Sequence, residues 1–150
     1  MIRIELTNRQ RGLPIDRKRL EAAIRETFRT AGQETAEVSL AVVNDTTMAQ
    51  LHGRYLDDPT PTDVLSFLLE EGAEGLEGEV IVSAETAARA AARYGWSAAD
   101  ELLLYVVHGT LHLAGYHDAT PEQRKEMRKQ ERRILAQFGL HPSYRARQPR

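Results

Sequence analysis

The stretch Glu101 to Gly115, ELLLYVVHGTLHLAG, constrains the fold of this chain more than any other. After the leading glutamate it is apolar except for Thr110 and a pair of histidines, His108 and His112. No face of such a segment suits water, so it is expected to be a central, buried helix, opened by Ser97 and running to about Gly115. Imidazoles in so apolar a setting need a partner. An α-helix turns about 100° per residue, so His108 and His112 project from one face about one turn apart, within reach of a single cation.

The remainder of the chain supplies what that helix packs against. Ile2, Ile4 and Leu6 alternate with polar residues, the period of a half-buried strand. Asp16 reads as the cap of an amphipathic helix carrying Leu20, Ala23, Ile24, Thr27 and Phe28 to a stop at Gly32. VSLAVVN (38–44) is a buried strand, and Asp45 is expected to cap a second helix ending before the DDPTPT turn (57–62). DVLSFLL (63–69) reads as a third strand, the acidic, glycine-rich 70–79 as a surface loop, and EVIVS (79–83) as a fourth strand. An alanine-rich helix follows from Ser83 to Tyr94, then the apolar helix, then a basic helix capped by Thr120 with Pro121 in its first turn. This order gives an α/β (α+β) fold: one domain over 1–150, a mixed sheet of about four strands packed by about five helices, with the metal-binding helix at the centre. Residues 142–150 are expected to be a disordered basic tail.

A third ligand completes the histidine pair. Gly115 can end the helix and turn the chain back, and counting from the first histidine, positions one, five and eleven are His108, His112 and Asp118. That is the ligand spacing of the zinc helix and turn of metzincin peptidases. His117 is the alternative third ligand, for a turn tighter by one residue. Where the peptidases carry the glutamate that deprotonates the attacking water, this chain has Gly109, which argues against peptide hydrolysis. With no cysteine in the chain, a transition-metal site must use His, Asp or Glu, and three such ligands on one Zn²⁺ leave a fourth position for water, the layout of a catalytic site.

Charge is unevenly spread. The net charge is −2, which excludes a protein that coats nucleic acid by positive field alone, yet residues 1–118 carry −8 and residues 119–150 carry +6. The C-terminal region is therefore a basic surface on an acidic body. No segment reads as a signal peptide or membrane span, so the expected location is the cytoplasm.

Three stretches give the chain a family resemblance: PTDVLSF (61–67), GEVIVSAETAARAA from Gly78, and HGTLHLAGYHD (108–118). Over almost its whole length the chain resembles the bacterial YbeY family of rRNA maturation endoribonucleases. The family signature ends Gly-Tyr-Asp-His, whereas this chain ends Gly-Tyr-His117-Asp118, so the third family histidine falls on Asp118. The family also has Tyr-Arg before the Pro-Thr-Asp turn, where this chain has Tyr55-Leu56, and Arg54 is the neighbouring candidate for the missing catalytic arginine.

The resemblance implies a zinc-dependent, single-strand-specific endoribonuclease. It would act on the 3′ end of 16S rRNA in 30S subunit maturation and quality control, as a monomer with ribosome-associated protein partners. It also places Thr62, Asp63 and Ser66 near the cleft, while the basic last helix offers Arg124 and Arg128 to RNA phosphates. The competing readings are a non-catalytic ribosome-assembly factor with a structural metal and, behind it, a zinc peptidase.

Overall fold

Alternation in the strands divides the core into layers. In the computed structural model, which describes residues 1–56, 63–145 and 147, four strands form one sheet: β1 (Ile2–Asn8), β2 (Ala36–Val43), β3 (Val64–Gly72) and β4 (Gly75–Ser83), in the order β1-β2-β4-β3. β1, β2 and β4 run parallel, and β3 closes the edge antiparallel to β4. Five helices accompany them: α1 (Arg17–Ala31), α2 (Asp45–Leu56), α3 (Ala84–Tyr94), α4 (Ala98–Leu113) and α5 (Pro121–Ala136). This is the expected α+β architecture. Successive side chains of a strand point to opposite faces, so Val38, Leu40, Val80 and Val82 join the larger cluster with α1 and α4. Val43, Leu65 and Ile81 turn the other way and pack with Met48 of α2.

α4 is the central buried helix that its sequence predicts: every residue from Glu101 to Leu111 is buried, and Leu113 as well. It lies on β3 and β4 and touches α1, α3 and α5. Its start is fixed by Ser97, whose hydroxyl accepts from the Asp100 N–H at 3.1 Å, a cap worth about 1 kcal/mol. Asp16, Ser83 and Thr120 cap α1, α3 and α5 as expected, Thr120 within a reciprocal box with Gln123.

Two local expectations change. The cap of α2 is Asn44, whose side chain accepts from Thr47 N–H at 2.8 Å. Asp45 instead accepts from the Ser83 and Thr86 hydroxyls, at 2.6 and 2.7 Å, and pairs with Arg89, tying α2 to α3. The acidic stretch 70–79 is not a loop: β3 continues to Gly72, turns through Ala73 and Glu74, and returns as β4. It lacks an apolar period because two of its glycines, Gly75 and Gly78, sit where neighbours come closest. A Cβ on Gly75, at φ +115°, would stand 2.4 Å from the Thr35 carbonyl oxygen, and one on Gly78 would stand 2.7 Å from Leu113.

Near the C-terminus Tyr144 donates to Glu131 and Arg147 is held by Glu101, while residues 146 and 148–150 of the expected basic tail lie outside the described residues. Arg147 is buried and reaches Glu101 of α4 with two hydrogen bonds of 2.8 Å. Tyr94 lies under its guanidinium at 3.6 Å.

Candidate metal centre

The end of α4 delivers three ligand atoms to one point. The Leu111 carbonyl accepts from Tyr116 N–H at 3.0 Å, and Gly115 takes φ +99°, so the chain reverses directly after the helix. The reversal returns Asp118 to the face that carries His108 and His112. His108 Nε2 and His112 Nε2 are 3.1 Å apart, and Asp118 Oδ2 lies 3.2 Å from the first and 3.3 Å from the second. A tetrahedral ion held at about 2.0–2.1 Å by each ligand needs ligand atoms separated by about 3.3 Å. The triangle therefore has the dimensions of one face of such a tetrahedron, and His108, His112 and Asp118 form a group that could hold a metal ion.

Protonation favours the same use. Burial pushes the His112 pKa down, and the nearby His108 adds to this, outweighing the opposing pull of Asp118. Burial alone would raise Asp118, but its hydrogen bond to His108 and the charge of His112 hold it below the usual carboxylate range. A neutral imidazole and an ionised carboxylate are the forms that bind metal.

The triangle opens into a cleft of about 510 Å³. One wall is β3 from Asp63 to Leu68, and the other is His108, His112, Leu113, His117 and Asp118. His108 is almost fully enclosed, at 4% side-chain exposure, while His112 is 28% exposed, so the open side of the site faces the cleft.

The remaining candidates fall in different places. His117 is exposed and lines the cleft, but it is Asp118 that reaches the histidine pair. Asp63 also lines the cleft and accepts from the Val64 N–H at 2.8 Å. The Ser66 hydroxyl donates to the Gly109 carbonyl at 2.9 Å, pinning β3 to α4 beside the histidines. Arg124 donates to the carbonyls of Asp118 and Ala119, at 3.4 and 3.1 Å, and braces the ligand loop. The Arg128 guanidinium lies 5.1 Å over the Tyr144 ring. Arg54 is exposed in the last turn of α2, and Thr62 lies outside the described residues.

Gly109 gains a second meaning. A Cβ there would meet Val80, Ser66 and Val64 at 2.7–2.9 Å, so the helix can approach the sheet only with glycine at this point. There is no room for the peptidase glutamate.

One participant escapes the sequence reading. His108 Nδ1 lies 2.6 Å from Oε2 of Glu131, which is fully buried in α5. Its signal was present: Glu131 stands four residues after Met127 and three before Ile134, a carboxyl group on the apolar stripe of its helix.

The sequence and the architecture have known counterparts. A family model described as Endoribonuclease YbeY matches residues 5–139. An Endoribonuclease YbeY of Thermobifida fusca is 38% identical over 145 residues, covering 89% of this chain and 92% of that protein. One of Moorella thermoacetica is 37% identical over 150 residues, covering 90% and 96%. The solution structure of TM1509 from Thermotoga maritima superposes with a TM-score of 0.62 at 26% identity, covering 93% of this chain and 92% of that one. With a match across nearly its full length, a shared fold and a ligand triangle at the signature motif, the chain belongs to the YbeY endoribonuclease family.

Proposed function

We propose that this chain is a zinc-dependent endoribonuclease that cuts single-stranded rRNA, acting on the 3′ end of 16S rRNA during 30S subunit maturation. The observation that supports it most is the triangle of His108, His112 and Asp118 at the mouth of the β3–α4 cleft. These three residues would hold one Zn²⁺. The ion, when bound, supplies Lewis acidity toward a phosphoryl oxygen and lowers the pKa of water.

The chain's own groups supply the rest. The β3 wall, with Val64, Phe67 and Leu68, gives a nucleotide an apolar surface, and Asp63 supplies a polar rim. Thr62, outside the described residues, is kept as a substrate contact on the family resemblance alone. His117 is exposed in the cleft beside the triangle and is assigned to move a proton at a ring nitrogen. Arg54 is kept as the candidate cation for the scissile phosphate. RNA backbone binding falls to the exposed Lys125, Lys129 and Arg133 of α5. Arg124 and Arg128 are kept as phosphate contacts, and they also brace the loop of Asp118 and Tyr144.

A structural-metal role in ribosome assembly is the second reading, and the open side of the triangle disfavours it, because structural zinc sites are closed by four protein ligands. Among the described residues no helix is long and apolar enough to cross a membrane, and we assign the protein to the cytoplasm as a monomer associated with the 30S subunit and its protein partners.

Metal-stripped protein titrated with zinc tests the proposal on a single-stranded fragment carrying the 16S 3′ end. Cutting should return with the metal and be lost in His112→Ala while RNA binding persists. Undiminished cutting under chelator, or by His112→Ala, contradicts it.

A further inference from the structure

A carboxyl group on the core face of a helix costs several kcal/mol unless its oxygens are hydrogen-bonded. Both oxygens of the buried Glu131 have partners: Oε2 lies 2.6 Å from His108 Nδ1, and Oε1 accepts the Tyr144 hydroxyl at 2.6 Å. An ionised carboxylate can only accept, so it favours the ring proton on Nδ1 and the lone pair on Nε2, the atom that faces His112 and Asp118.

Tyr144 is itself held from two sides. The guanidinium groups of Arg128 and Arg132 lie over its ring, at 5.1 and 4.8 Å. Further along the chain, Arg147 is buried against Glu101, which also accepts from the Trp96 indole at 2.7 Å. The strap that carries Tyr144 is thus anchored at the far end of the helix that carries His108.

We propose that Glu131 and Tyr144 are positioning residues of the metal centre: the anchored C-terminal strap holds the Glu131 carboxyl group on His108, fixing the tautomer and ring orientation that present Nε2 to the ion. Metal affinity then depends on a chain segment that supplies no ligand. The proposal rests on reading His108, His112 and Asp118 as a metal centre. Partners of this kind on a ligand histidine change metal affinity by about 10- to 100-fold when removed.

The test uses the full chain, stripped of metal and titrated with zinc against a chromophoric chelator, as the parent, Glu131→Gln and Tyr144→Phe. Long-range proton–nitrogen correlation spectra of the imidazoles are recorded alongside, because a merely structural hydrogen bond would not set the His108 tautomer. The parent should bind one zinc and show His108 protonated at Nδ1. Glu131→Gln should weaken zinc binding about 10- to 100-fold and shift the His108 proton toward Nε2. Tyr144→Phe removes a single oxygen atom and carries the test alone if Glu131→Gln does not fold; it should weaken binding about three- to tenfold. Binding within about twofold of the parent in the folded variants, or His108 protonated at Nε2 in the parent, overturns the clamp and leaves the metal centre standing. A parent that takes up no zinc overturns both.

Discussion

Protons and a metal ion would compete for the same atoms of the triangle, and the surroundings of each group decide the contest. Burial and the neighbouring His108 lower the His112 pKa, and hydrogen bonding with the imidazoles lowers that of Asp118. Both are therefore ready ligands at neutral pH. Zinc affinity should be level above about pH 7 and fall as the pH drops below the ordinary histidine range of about 6.5 and through the lowered His112 value. At pH 7.5, Asp118→Ala should lose more than about 100-fold in affinity, beyond what an outer hydrogen-bond partner costs, while His117→Ala stays within about twofold of the parent. Equal titration curves for Asp118→Ala and the parent would remove Asp118 from the site. At this scale the sequence was a good guide to which groups converge, since the spacing of His108, His112 and Asp118 is a local property of a helix and its turn. It did not show the partners that Ser66, Arg124 and Arg128 meet inside the protein. Which partner a serine or arginine finds depends on residues distant in the chain.

Among the elements, α4 was legible because apolar character on every side leaves a helix only one place to go. The β3–β4 hairpin was hidden because close packing against Thr35 and Leu113 replaces bulky strand residues by glycine, so the pattern that announces a strand is missing. The C-terminal strap was hidden for another reason: its basic composition reads as solvated, while Arg147 is buried opposite Glu101. Burial alone would raise the Glu101 pKa, but its bonds and charge attraction to Arg147, with help from Trp96 and Tyr105, bring it below the ordinary value of 4.5. A carboxylate lowered on folding stabilises above its unfolded pKa and loses that contribution as the pH falls through its folded value. Arg147→Met leaves Glu101 buried without its cation and should cost about 3–5 kcal/mol at pH 7. The gap between parent and variant should narrow by about pH 3, as Glu101 takes up a proton. Urea unfolding at the two pH values checks this, and a gap independent of pH would show that the charge pair is not its source.

For the whole molecule, the fold turns the uneven charge along the chain into a surface. The acidic body forms the sheet and the β3 wall, and the positive charge gathers on α5 directly after the ligand loop. Lys125, Lys129 and Arg133 stay exposed there, so this helix can attract a polyanion although the protein is acidic overall. Apart from the family resemblance, the cleft was not legible in the strand and helix pattern, because it exists only where the edge strand β3 stands beside the end of α4 and the returning loop. The account turns on those ligands meeting one ion. A crystal of the protein soaked in zinc, with anomalous scattering measured at the zinc edge, tests this most directly. The account predicts a single strong peak about 2.0–2.2 Å from His108 Nε2, His112 Nε2 and a carboxylate oxygen of Asp118. A peak bound by His117 in place of Asp118, or no peak between the two histidines, would contradict it.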